Sequence, residues 1–125
     1  MSLIQELFNK TVTHLLTQME QSISDDGDSC AYRGTNGLKC AIGALIDDKW
    51  YDAERLEDLS IRSQYVQVAV AKSQGFNLVD CDWDWEGWKI LRAVQNIHDT
   101  HLPDEWKDKL TTLAEEHNLT MPHIS

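Results

Sequence analysis

Residues 3–19 read LIQELFNKTVTHLLTQM, and this stretch decides the fold class. Leu3, Ile4, Leu7, Phe8, Val12, Leu15, Leu16 and Met19 recur at three- and four-residue steps, the period of a helix with one apolar side. Gln5, Glu6, Asn9, Lys10, Thr13 and Gln18 fill the other side. The spacing predicts a helix running to about Ser22. Such a helix needs a partner surface to bury its stripe, so the rest of the chain must supply one.

The same period returns further along. From Glu86 to about Asp99, the residues Trp88, Ile90, Leu91, Val94 and Ile97 share one face. Pro103 suits the first turn of another helix. Asp104 and Glu105 suit its positive end, and Trp106, Leu110, Leu113 and Ala114 form its stripe. Ile61–Ser73 is also helical in pattern, with Gly75 as its natural stop. A short helix is predicted to open near Lys39 through CAIGALI and to end at Asp47-Asp48. Residues 47–60 are acidic and irregular, with one turn of helix near Ala53–Leu59. The fold class is therefore mainly α: four to five helices with one structured Gly-rich loop after the first, with room for a short β-hairpin near Cys30–Arg33. Residues 1–125 form a single domain, with a core over about 2–117 and a tail at 118–125.

At 125 residues, 42% apolar and 26% charged, the chain is long enough to bury a core without disulfide or metal. Eleven basic residues face 21 acidic ones, for a formal net charge of −10. A surface this acidic repels DNA, RNA and anionic membranes at long range. Direct nucleic-acid binding through a broad basic face is disfavoured. No apolar run reaches the roughly 20 residues that span a bilayer, and MSLIQELFNK lacks the basic start of a signal peptide. Cys30, Cys40 and Cys81 are an odd set with no C-x-x-C pair, as expected of free, packed thiols in a reducing compartment, with a Cys30–Cys40 disulfide as the alternative. No cofactor and no metal centre is expected.

Three stretches are candidates for chemistry. The richest is Cys30-Ala-Tyr-Arg-Gly-Thr-Asn-Gly-Leu-Lys-Cys-Ala-Ile-Gly43. Arg33 and Lys39 flank a Gly-rich turn that leads into a predicted helix start, where free N–H groups attract anions. Gly34 and Gly37 permit close approach of a ligand to backbone. Arg33 offers a bidentate fork, Tyr32 a stacking ring, and Cys40 completes the set. The stretch is not a P-loop, because Lys39 precedes Cys40 and the glycine spacing differs. Alternatively, Arg33 and Lys39 pair with nearby acids and the glycines only shape a turn. The second stretch, Asp80-Cys-Asp-Trp-Asp-Trp-Glu86, starts like a calcium loop but has Trp85 at position six and Leu91 at position twelve. Its acids suit helix capping instead, while Trp85 is a possible second contributor to a pocket. The third is His98-Asp99, a general base beside a carboxylate or a helix-end anchor. Pairing of His98 with Cys30 or Cys40 stays open, since such partners need not be close in sequence.

The combination of Cys30-Ala-Tyr-Arg-Gly34, Gly37-Leu-Lys-Cys-Ala-Ile-Gly43, Leu45-Ile-Asp-Asp48 and Tyr51 resembles a family of small proteins of tailed bacteriophages and prophages. Val94-Gln-Asn-Ile-His-Asp99, Pro103 and Trp106 resemble its C-terminal half. The resemblance covers Cys30 to about Ala114. It departs at Leu56-Glu-Asp-Leu-Ser60, where Glu-Gly is expected. It implies an accessory protein in the cytoplasm of an infected bacterium, of a kind that blunts host defence.

Three functions follow as expectations. The first is a binding protein, not an enzyme, that sequesters a small anionic ligand such as a nucleotide immune signal. Tyr32, Arg33, Gly34, Gly37, Lys39 and Cys40 would form its pocket, with His98, Asp99 and Trp85 as a second contribution. A homo-oligomer is expected to complete it. The second is an acidic protein–protein inhibitor or nucleic-acid mimic of a host defence protein, acting through the carboxylates of 47–58 and 80–86. The third is a hydrolase using Cys40 or His98-Asp99.

Overall fold

The computed structural model describes residues 2–24, 27, 30–57, 59–78 and 85–123. Its helices are α1 (Leu3–Gln18), α2 (Ala53–Leu56), α3 (Gln64–Gln74), α4 (Glu86–Thr100) and α5 (Pro103–Glu116). Among the described residues there is no β-strand, and the fold is mainly α as the periodicity predicts. No helix among them is long and apolar enough to cross a membrane. The calcium-like stretch from Asp80 to Asp84, with Cys81, lies outside the described residues.

Each helix boundary has a local cause. Ser2 caps α1 by accepting the Gln5 N–H at 3.1 Å. α1 ends at Gln18, short of the predicted Ser22, because Met19 adopts a left-handed conformation (φ 53°). That turn frees Ser22 to run into the Gly-rich loop. Ser63 caps α3, and Gly75 ends it at φ 75°. Pro103 opens α5, and the Glu105 side chain accepts the Leu102 N–H at 3.1 Å.

Two clusters of buried side chains fill the interior of the described residues, and α1 and α4 wall both. Phe8, Val12 and Leu15 of α1 meet Ile90, Val94 and Ile97 of α4 and Trp106, Leu110 and Leu113 of α5. On the other side, Leu7, Trp88 and Leu91 meet Ile42, Leu45 and Ile46, Leu56 and Ile61, and Val66 and Val70 of α3. The first cluster is built by regular helices. The second is roofed by the irregular chain from Cys30 to Ile61, and the candidate site opens where the two halves join.

The Gly-rich loop is ordered by backbone pairing rather than by a hairpin of strands. Isolated antiparallel bridges join Ile23 to Cys30 and Arg33 to Lys39. Gly34 lies so close to the preceding chain that a Cβ there would sit 2.6 Å from the Ile23 carbonyl oxygen. The predicted helix near Lys39 is a correction: residues 43–45 form a single 3-10 turn. Its early amides are already taken. The Ile42 N–H donates to Gln95 Oε1, the Gly43 N–H to Cys40 Sγ, and the Ala44 N–H to the Cys40 carbonyl. The expected anion-binding helix end does not exist there. The predicted tail is also docked over the described residues 118–123. Thr120 exchanges hydrogen bonds with the Gln5 side chain, and Leu119 and Met121 pack on the helical core.

Candidate ligand-binding site

A cleft of about 590 Å³ opens between α4 and a wall formed by residues 30–32, Glu57 and residues 59–61. That volume is within the range of small-ligand sites. Ala31, Leu59, Ile61 and Ala93 give it apolar wall, and Lys89, Arg92, Asn96 and Asp99 give it charge and hydrogen-bonding groups. Tyr32 and Cys40 line it as well; Arg33, Gly34, Gly37, Lys39, His98 and Trp85 do not.

Arg33 is committed elsewhere. Its guanidinium bonds Asp48 Oδ1 and the Ile46 carbonyl, each at 2.7 Å, and lies 4.5 Å from the centre of the Tyr51 ring. The Arg33 guanidinium in turn holds the Asp48 carboxyl below the usual carboxylate range. Lys39 is fixed through its backbone. Its N–H donates to Gln18 Oε1, and its carbonyl accepts from Gln18 Nε2 and His14 Nε2. Gly34 is a packing glycine, and Gly37, at φ 75°, is an exposed turn glycine. Trp85 packs with Phe76 and Trp88, its ring 5.2 Å from that of Trp88. A Cβ at residue 87 would meet the Trp85 ring at 2.4 Å, which is why glycine stands there.

Behind the cleft wall lies a fixed polar network. His98 is fully buried and stacks on Trp106. Its Nε2 accepts the Ser22 N–H at 2.9 Å, so the ring proton sits on Nδ1, which donates to Asp99 Oδ1 at 2.7 Å. Cys30, His98 and Asp99 have the composition of a metal site, with donor atoms all within 4.8 Å of one another. The Ser22 amide argues against that use: a metal on Nδ1 would force the proton onto Nε2, against an N–H donor. The same bond removes His98 as a base for either thiol. Burial, and then the negative charge of the nearby Asp99 carboxylate, push Cys30 up to about 11. Burial pushes Cys40 up to about 12. Both are free thiols and are protonated at neutral pH.

Glu57 closes the other wall. Its carboxylate accepts the N–H groups of Tyr32 and Arg33, each at 3.1 Å, and the Tyr51 hydroxyl at 2.5 Å. Tyr32 hydroxyl donates to the Leu59 carbonyl. These bonds tie α2 and the chain after it to the Gly-rich loop, and so set the cleft's width.

Sequence reasoning placed Tyr32, Cys40 and Asp99 at one site, and the fold brings those three together. It overlooked Lys89, Arg92 and Asn96. Their signal was present in the polar side of α4, where positions 89, 92, 96 and 99 recur at helical steps. No family model matches the chain, and no curated protein or solved structure matches it either.

Proposed function

We propose that the protein binds a small anionic ligand in the cleft beside α4. Lys89 and Arg92 carry this reading. Both are exposed on the cleft wall, and among the described residues neither makes an ion pair. In a chain of net charge −10, two cations without an ion pair among the described residues, side by side on a cavity wall, favour negative charge at that end of the cleft. Arg92 supplies a fork for phosphate or carboxylate. The apolar wall of Ala31, Leu59, Ile61 and Ala93 lowers the local dielectric and strengthens short-range attraction. The anion site thus moves from Arg33 and Lys39 to Lys89 and Arg92.

The resemblance to small phage proteins gives such a binder a setting: an accessory that sequesters a nucleotide signal inside an infected bacterium. Calorimetric titration with inorganic phosphate and with nucleoside monophosphates tests the reading. One-site, saturable binding is expected, weakened about tenfold by Arg92→Ala. Failure of the wild-type protein to bind any of these anions refutes it.

A second reading rests on a different surface. Trp50 is 37% and Tyr65 58% exposed, and the exposed carboxylates of Asp47, Asp52 and Glu54 belong to the same acidic stretch as Trp50. An inhibitor of a basic host protein would use these exposed side chains, and its affinity would fall steeply with salt. Capture of a host protein that survives Lys89→Ala and Arg92→Ala but fails with Trp50→Ala would favour it.

A further inference from the structure

The polar stripe of α4 sorts its charges. Lys89 and Arg92 lie toward the helix N-terminus, Asn96 follows, and Asp99 stands in the last turn. From Arg92 to Asp99 is about 10 Å along the axis at the usual rise per residue. A carboxylate in the last turn opposes the helix dipole, which favours cations there. Helix stability therefore does not account for Asp99, and its surroundings give a second reason to look at it.

Asp99 is held in one orientation. His98 Nδ1 donates to its Oδ1 at 2.7 Å, Gln95 Nε2 donates to the same atom at 2.8 Å, and Cys30 Sγ lies within 4.8 Å of the carboxylate. These donors are themselves anchored: Gln95 Oε1 accepts the Ile42 N–H, and His98 Nε2 accepts the Ser22 N–H. Yet 38% of the Asp99 side chain remains exposed, on the cleft wall. A carboxylate has roughly four acceptor positions, so at least one stays open to the cleft. A fixed acceptor of this kind selects for a donor, because a ligand without one leaves it desolvated and unpaired.

We propose that the cleft's ligand is an anion carrying an amino group about 10 Å from its negative group, with the anion at Lys89 and Arg92 and the amine at Asp99. Asn96, between the two ends, is placed to bond the middle of the molecule. Nucleoside monophosphates with an exocyclic amine have this layout. The inference rests on the anion-binding reading of the same cleft and adds the polarity of the ligand to it.

Adenosine and inosine monophosphates are suitable probes, since they differ in presenting an amine or a carbonyl at one ring position. Calorimetry on the wild-type protein is expected to show adenosine monophosphate binding at least tenfold more tightly. Asp99→Asn, which offers one acceptor and one donor, is expected to bring the ratio within about threefold. Equal affinities in the wild-type protein, both weakened about tenfold by Arg92→Ala, would overturn the amine assignment and leave the anion site standing. Absence of binding by either nucleotide, and by phosphate, would overturn both. The wild-type ratio decides the matter even if Asp99→Asn folds poorly.

Discussion

Arg33 and Arg92 are the same side chain in opposite circumstances. Arg33 is 20% exposed, bound to a carboxylate and a carbonyl, and covered by the Tyr51 ring. Arg92 is exposed on a cleft wall and free of ion pairs among the described residues. The first joins the Gly-rich loop to the acidic chain after it. The second makes no ion pair among the described residues and stands on the cleft wall. The difference teaches that a cation's worth to a ligand depends on what the fold has already spent it on. Arg33 helps to hold the irregular half together, while Arg92, on a regular helix, makes no ion pair among the described residues.

If that division is right, substitutions in the irregular half should cost stability first. The largest effect is expected at Gly43, where a Cβ would stand 2.0 Å from the Tyr32 carbonyl oxygen. Gly43→Ala must displace backbone, and a loss of about 3 kcal/mol or more is expected in urea unfolding. A loss below about 1 kcal/mol would mean that this close approach is not a fixed feature of the fold. Glu57→Ala comes next. It removes the acceptor for two backbone N–H groups and the Tyr51 hydroxyl, at a cost of roughly 2–3 kcal/mol. Glu57→Gln keeps one acceptor oxygen and should cost less.

The arginine pair itself gives the sharpest contrast. Arg33→Ala should cost about 1–2 kcal/mol, chiefly through the unpaired Ile46 carbonyl. Its bond to the exposed Asp48 adds little. Ligand affinity should barely change. Arg92→Ala should leave stability within about 0.5 kcal/mol and weaken the ligand about tenfold. Chemical denaturation and calorimetry on both variants measure the two effects separately. If Arg33→Ala abolished binding while Arg92→Ala did not, the roles assigned here would be reversed.

The regular half was open to sequence reading because each helix declares itself locally. The stripe of α1, the stop at Gly75 and the start at Pro103 are all short-range signals. The irregular half was not, because its order comes from distant pairs such as Glu57 with Tyr32 and Gln95 with Ile42. CAIGALI has a helical composition, yet Gln95, fifty-three residues away, takes the amide a helix start would have left free. The site was half legible for the same reason. Tyr32, Cys40 and Asp99 stand in conspicuous motifs. Lys89 and Arg92 lie on the polar face of a helix, where charged residues are ordinary, and only the neighbouring cleft distinguishes them.

The smallest effect concerns pH, and it probes the junction of the two halves. Cys30 and Cys40 both face the cleft, and both thiols are pushed up from 9.0, to about 11 and about 12. Burial is the main cause for each. A raised pKa in the folded state means that the neutral thiol is favoured there. The stabilisation is complete below about pH 9 and is lost as pH rises through 11 and 12. Tyr32 and Tyr51 are shifted in the same direction, also chiefly by burial. Melting temperatures should therefore be flat from pH 7 to 8.5 and fall by a few degrees by about pH 10. His14, lowered from 6.5 mainly by burial, works the opposite way: its stabilisation is lost as pH falls below 6.5. Cys40→Ala should flatten the alkaline limb more than Cys30→Ala, since Cys40 is fully enclosed and Cys30 only half-buried. An alkaline limb that neither substitution alters would mean that the cleft floor admits water, and the low local dielectric invoked for anion binding would fail with it.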